Sequence, residues 1–406
     1  MSKPLMFSED VQFWYETLRA FGADEYGGGQ FGEVVATSAR IRPGDYDSWH
    51  DAWKETAEAT EKEARAQLAR GHSVSARDGF LRASNAYRSS EFFLHGAPRD
   101  PRIAHAYERS VDCYKACAGL FDPPIEPVEI PYEDTTLPGY FHRPDLSGEP
   151  RTTVIMHSGF DGSAEEMHVM GARAAVERGY NALVFDGPGQ FGPRHREGLT
   201  FRPDWEKVVT PVVDFALGLP TVDPKRIALM GVSLGGVLAP RAAAFEKRLA
   251  ALIANDGVYD YGVAQLAGVP PDQRADAVRM IMADDAPEMD AALDAMAKSS
   301  PTVRWAFAHG MYAMGAPTPR KYLAASMAFN VRDGVAEAIA CPTLVLEAEG
   351  DLFFKGQPRQ LYDHLTCLKT LIVFTEAEGA GAHCQVGASR LAFARIYDWL
   401  DEALAQ

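Results

Sequence analysis

The sequence predicts an α/β protein: a mainly parallel, doubly wound sheet, preceded by a helical domain and interrupted by a helical cap. Three observations lead there. From residue 125 onward, strand-like apolar runs alternate with helical patterns, the arrangement that covers a parallel sheet on both faces. The first 120 residues contain almost no strand pattern. Between Tyr261 and Asp333 the alternation stops, and helix-like sequence rich in methionine (Met280, Met282, Met289, Met296, Met311, Met314) takes its place. The expected organisation is therefore a helical domain over 1–124, a sheet domain over 125–260 and 334–406, and a cap over 261–333.

Taken in order, Asp47 to Arg70, Ser73 to Phe93 and Pro101 to Leu120 carry apolar or small residues at helical spacing with charge opposite. The aromatics Phe80, Tyr87, Phe92 and Phe93 read as the core of that domain. Asp122-Pro-Pro-Ile-Glu-Pro127 is a proline-rich boundary. Beyond it Val128 to Tyr132 and Leu137 to Arg143 form a hairpin that opens the sheet domain. Arg151 to Met156 runs into His157-Ser-Gly-Phe-Asp-Gly162, and Ala182 to Phe185 ends in Asp186-Gly-Pro-Gly-Gln190, a sharp turn read as architecture. Ala250 to Ala254 is the sixth strand, Cys341 to Glu349 the next, then Thr370 to Thr375 and a closing helix from Ala388 to Ala405. In the cap, Trp305 to Tyr312 fits either an aromatic pocket lining or the cap's own core.

Chemistry concentrates where the apolar run Ile227 to Met230 stops on Gly231-Val-Ser233-Leu-Gly235 and restarts as a small-residue helix. A serine on a tight strand-to-helix turn sits in strained backbone with its Oγ exposed, and a Cβ at either flanking glycine would meet the neighbouring strand or helix. The Leu234 N–H then points where an oxyanion would form. An acid and a histidine are expected downstream in the order Ser, acid, His. Asp351 fits the acid, on the loop where the strand ending Glu347-Ala-Glu-Gly-Asp351 breaks; Glu347 and Glu349 lie within or at the end of the strand. His383 fits the base, on a glycine-rich loop late in the chain. The spacings are 351 − 233 = 118 and 383 − 351 = 32 residues, the second being one strand-helix-strand unit. Phe160 N–H is the expected second oxyanion donor, with Gly159 the alternative, and His157 is expected to brace that loop. Further candidates for substrate contact are His157, Asp161, Tyr259, Trp305, His309 and Tyr312.

Composition is consistent with an enzyme of this kind. A chain of 406 residues with 47% hydrophobic side chains can bury a large core. The net charge of −16 argues against nucleic acid or an anionic membrane as partner. The N-terminus shows no basic-then-apolar signal, and no apolar stretch is long enough to span a bilayer. Five cysteines, an odd number in a long chain, read as reduced, and a cytoplasmic address is expected. Cys113 and Cys117 have no His or Cys cluster near them, so no metal site is expected. No cofactor is required either. The expected partner is a small-molecule substrate, and a homodimer is left open.

The elbow, the His157-to-Glu166 loop, the Asp186-to-Gln190 turn, Asp351-Leu-Phe-Phe-Lys-Gly-Gln357 and Gly381-Ala-His-Cys-Gln385 together resemble the α/β-hydrolases with an N-terminal helical domain. That group includes the 2,6-dihydroxypseudooxynicotine hydrolase of nicotine breakdown and the yellowish-green heptaketide hydrolase of fungal pigment synthesis. The resemblance implies the α/β-hydrolase fold and a Ser233-His383-Asp351 triad. It also implies cleavage of a carbon–carbon bond next to a ketone in an aromatic or polyketide substrate. In the nicotine-pathway enzyme it implies a further carboxylate near the cap; Asp256 and Asp260 lie in the corresponding stretch. The same residues would serve an esterase, a thioesterase, or an acyltransferase or cyclase. A non-enzymatic interaction protein would be expected to lack one of the three.

Overall fold

The computed structural model describes residues 4–405. Its first elements are the helices α1 (Val11–Gly22), α2 (Phe31–Ser38), α3 (Tyr46–Ala69), α4 (Ser73–Glu91) and α5 (Pro101–Ala118). Three begin on aspartates whose side chains accept an otherwise unpaired N–H of the first turn: Asp10 from Phe13, Asp45 from Ser48 and Asp100 from Arg102. The helices α3 and α4 pack closely because Gly79 faces Ala64, where an added Cβ would lie 2.8 Å from the alanine's own. The helix α1 was not anticipated from the sequence, although Gln12, Glu16 and Arg19 mark a polar face at helical spacing. Six consecutive residues, Gln12 to Thr17, are buried, so that face turns inward instead of to solvent.

The sheet contains β1 (Glu126–Tyr132), β2 (Thr135–His142), β3 (Arg151–His157), β4 (Asn181–Phe185), β5 (Val222–Val232), β6 (Ala251–Asn255), β7 (Thr343–Ala348) and β8 (Lys369–Phe374). Their order is β1-β2-β4-β3-β5-β6-β7-β8. The pairs β1–β2 and β2–β4 are antiparallel and all others parallel. Val154 to Met156, Ala182 to Phe185 and Ile227 to Met230 are fully buried, which explains why these strands read as continuous apolar runs. Helices cover both faces.

Between β6 and β7 lie the cap helices Arg274–Met282, Pro287–Ser299, Pro301–Met314 and Pro319–Ser326. Three start on proline, which suits a first turn whose N–H groups have no intrahelical acceptor. The cap also docks on the N-terminal helices: Trp305 stacks on Phe92 (ring centroids 5.0 Å apart), and the Arg304 guanidinium lies 3.9 Å from the Tyr46 ring centre. Among the described residues no helix is long and apolar enough to cross a membrane.

The tightest backbone approach is behind the Gly231-to-Gly236 turn. A Cβ on Gly231 would overlap the Gly235 carbonyl, and one on Gly236 the Asp256 carbonyl. Backbone on both sides leaves little room to relax. Gly231→Ala is therefore expected to lose about 1–3 kcal/mol or more, the usual scale of overpacking, read as a lowered midpoint in thermal unfolding.

Candidate active site

Ser233 joins β5 to the helix Gly235–Phe245 with φ of 62°, a left-handed conformation that a residue with a Cβ rarely adopts. Two backbone bonds hold it there. Its N–H donates to the Asn255 carbonyl (2.5 Å), and Gly236 N–H donates to the Ser233 carbonyl (2.7 Å).

The loop after β7 carries Asp351, and the loop after β8 carries His383. Asp351 is fixed by the Phe353 and Phe354 N–H groups, which donate to its Oδ1 at 2.7 and 3.2 Å. Its Oδ2 lies 3.0 Å from His383 Nδ1, and His383 Nε2 lies 2.9 Å from Ser233 Oγ. A carboxylate only accepts, so Nδ1 carries the hydrogen and Nε2 offers its lone pair to the serine hydroxyl. Burial opposes charge on His383, but the Asp351 carboxylate outweighs it and holds the imidazole well above its ordinary range. Burial acts to raise Asp351, and the charge and hydrogen bond of His383 bring it below its usual value. The rings of Phe353 and Phe354 stand edge-on to the imidazole at 5.0 and 5.2 Å. Of the two rival carboxylates, Glu349 is engaged elsewhere: it accepts the Glu376 N–H.

Two further groups crowd the histidine. Asp256 Oδ2 lies 3.2 Å from Nδ1, and Cys384 Sγ lies 3.3 Å from Nε2. Asp256, His383 and Cys384 thus bring one potential metal-ligating atom each within 4.8 Å of one another. The aspartate faces one edge of the ring and the thiol the other, which suits proton-sharing partners better than ligands of one ion. Burial raises Asp256, opposed by its bond to His383.

The loop after β3 lies against the elbow because residue 159 is glycine: a Cβ there would sit 2.5 Å from Val232 O and 2.6 Å from Leu234 N. The neighbouring Phe160 is held through its carbonyl, 2.8 Å from His309 Nε2. His157 Nδ1 and Gln190 Nε2 both reach the Ser158 carbonyl, at 2.9 and 2.6 Å. Burial lowers His157 to about 4, so this ring is a neutral brace.

Two arginines from the N-terminal helices clasp the same loop. Arg19 pairs with both oxygens of Glu166 (2.7 and 2.6 Å) and with Asp161 (2.8 Å), and Arg88 Nη2 donates to the Asp161 carbonyl (3.1 Å). Burial, opposed chiefly by Arg19, pushes Glu16 up to about 8. Burial thus biases Glu16 toward its neutral form, and Asp161 and Glu166 are the carboxylates that face the two guanidinium groups.

A cavity of about 300 Å³ opens onto Ser233 and His383, walled mainly by apolar cap residues such as Met289, Leu293, Met296 and Phe307. Of the anticipated contacts, Phe160, Asp161 and Trp305 reach its wall. His157, Tyr259, His309 and Tyr312 are not among the lining residues. His157 and His309 hold the loop from behind, Tyr312 packs on His95, and Tyr259 stacks on His364 outside the cavity. Asp260 caps the short helix Tyr261–Ala264 and bridges to Arg332. Sequence reasoning missed Tyr15 and Arg19, which line the wall from α1, and the hydrogen-bonded pair Tyr261 and Tyr322 (2.8 Å). For the first two the available signal was the helical spacing of Gln12, Glu16 and Arg19 among apolar residues; Tyr261 sits at the first cap residue, where a changed environment was the available signal.

A sequence model of the alpha/beta hydrolase family matches residues 153–395, and one described as esterase FrsA-like matches 35–260. The chain belongs to the alpha/beta hydrolase family. It is 35% identical to Hydrolase LUC6 of Fusarium sp over 96% of both chains, and 33% identical to 20-hydroxy-prefusarin hydrolase FUS2 of Gibberella moniliformis over 98% of both. The crystal structure of 2,6-dihydroxy-pseudo-oxynicotine hydrolase aligns with a TM-score of 0.74 at 26% identity, covering 94% of this chain and 95% of that one. The protein is an enzyme, a hydrolase of the alpha/beta type.

Arg88 is nearly inaccessible, and removing its charge strands the buried carboxylates around it. Arg88→Met, which keeps most of the volume, is expected to cost about 3 kcal/mol or more, the scale of breaking a buried ion pair. Denaturant unfolding measures the loss, and a fall in turnover at temperatures where the variant is folded would accompany it.

Proposed function

We propose that this enzyme is a serine hydrolase acting at a carbonyl of a bulky aromatic or polyketide-like small molecule, with a carbon–carbon bond next to a ketone as the preferred scissile bond. The observation that carries the reading is the unbroken line from Asp351 Oδ2 through His383 to Ser233 Oγ, ending in a mainly apolar cavity. Similarity to 2,6-dihydroxy-pseudo-oxynicotine hydrolase and to 20-hydroxy-prefusarin hydrolase supports the choice of substrate class.

His383 Nε2 takes the Ser233 proton as Oγ bonds to the carbonyl carbon, while Asp351 keeps Nδ1 protonated and stabilises the imidazolium. Leu234 N–H, in the first turn of its helix, and Phe160 N–H face the developing oxyanion; each such donor contributes about 3 kcal/mol in comparable sites. Collapse breaks the bond to a carbanion stabilised by its own ketone, and His383 returns the proton to that carbon. A water molecule, deprotonated by His383, then attacks the acyl-serine and releases a carboxylic acid. Tyr261 and Tyr322, beside the Phe160 ring, offer the substrate a polar anchor in a mainly apolar wall. An ester or thioester would follow the same path with an alcohol or thiol leaving. Acyl transfer or cyclisation is the second reading, favoured by the mainly apolar wall that cap and N-terminal helices build over Ser233, which disfavours water there.

Ser233→Ala and His383→Ala should fold normally and lose turnover on the order of 10⁴- to 10⁶-fold. Assay of wild type and variants on aryl β-diketones, p-nitrophenyl esters and acyl thioesters checks this. Preferential cleavage of the diketones is the expected pattern. Near-wild-type rates in purified Ser233→Ala would remove the covalent scheme, and turnover of esters alone would reassign the bond.

A further inference from the structure

Resting on the reading of Ser233 and His383 as nucleophile and base, we propose that Asp256 is a second carboxyl partner of His383, sharing with Asp351 the tasks of orienting the ring and stabilising its cation. The two acids leave adjacent parallel strands at the same edge of the sheet. Asp256 directly follows β6 and Asp351 follows β7, with Ala254 paired to Val345. Their Oδ2 atoms lie 3.2 and 3.0 Å from the one Nδ1.

Each carboxyl group is held by two hydrogen-bond donors besides the ring, although burial raises Asp256 while His383 keeps Asp351 low. Asp351 accepts from two backbone N–H groups besides the ring. Asp256 accepts from the Cys384 N–H (2.8 Å) and from Gln385 Nε2 (2.8 Å), both on the segment that carries the histidine. Asp256 is completely buried and does not line the cavity, so it meets no substrate. It acts through the ring and is a positioning residue. The other titratable groups facing His383 are Cys384, at Nε2, and Tyr15, whose hydroxyl donates to the His383 carbonyl (3.3 Å).

Where one acid alone orients a triad histidine, its replacement by the amide drops kcat about 10⁴-fold because the ring adopts the wrong tautomer. Here Nδ1–H keeps an acidic partner when either aspartate is lost. The experiment is the second-order rate of labelling of the full-length enzyme by a fluorophosphonate, followed over about pH 5 to 9 to span the histidine ionisation. The proteins are wild type, Asp351→Asn, Asp351→Ala, Asp256→Asn, the double Asp256→Asn/Asp351→Asn, and Ser233→Ala. The alanine variant presents no amide donor to the ring.

Labelling requires the neutral imidazole, so its rate rises with pH through the His383 ionisation. Each single variant should keep its rate within about 10²-fold of wild type and move that rise to lower pH, whereas the double should fall by about 10⁴-fold. The proposal is overturned if both Asp351 variants alone fall about 10⁴-fold, or if Asp256→Asn superimposes on wild type in rate and pH dependence. If Asp256→Asn does not fold, the Asp351 variants, which retain Asp256, decide the matter by themselves. Failure of wild type to label, or labelling of Ser233→Ala at the wild-type rate, would instead sink the underlying nucleophile–base reading.

Discussion

A serine held at φ of 62° is the constraint on which the site depends. Such a conformation costs of order 1–3 kcal/mol and persists only where its surroundings over-determine it. Here they do. The serine N–H is tied to the end of β6, its carbonyl to the helix that follows, and glycines at 231, 235 and 236 let strand, loop and helix backbones close to contact. Moving any of these pieces would release the turn, and Oγ would leave the imidazole. The same closeness places Asp256, at the end of β6, beside the histidine, so the packing that strains the serine also delivers the second acid.

The N-terminal helices contribute to the site as well as covering it. Arg19 and Arg88 reach across to the loop after β3, and His309 from the cap holds the Phe160 carbonyl of that loop. Phe160 is the residue whose N–H is proposed to face the oxyanion. Its position thus answers to three parts of the molecule, and a shift of the helical region would be felt there first. Burial biases Glu16 toward its neutral form, and Arg19 and Arg88 then face the carboxylates of Asp161 and Glu166. That arrangement ties the loop down without leaving an unpaired carboxylate under the cavity floor.

Much of this was legible in the sequence because its signals are local. A strand that stops on Gly231-Val-Ser233-Leu-Gly235, and two later strands ending at Asp351 and before His383, each announce themselves within ten residues. The alternation of strands and helices and its pause at the cap are likewise patterns along the chain. What could not be read is what depends on contact across the chain. The helix α1 has a clear period, but its polar face of Gln12, Glu16 and Arg19 turns inward, and only the way the helix docks brings Tyr15 and Arg19 to the cavity wall. His309 and Tyr312 share a helix with Trp305, but their sides of it turn toward His95 and the Phe160 carbonyl, a choice only tertiary packing makes. Asp256 and Asp260 were indistinguishable by position; the structure sends one to His383 and the other to a helix cap and Arg332.

The central claim is that Ser233 is the atom that becomes acylated. Peptide mapping by mass spectrometry of the wild-type enzyme after reaction with a fluorophosphonate tests it most directly. A single adduct on the peptide containing Ser233, absent when His383 is replaced, is the result expected. An adduct confined to Cys384, which also touches the imidazole, or no adduct in folded protein with an open cavity, would contradict it.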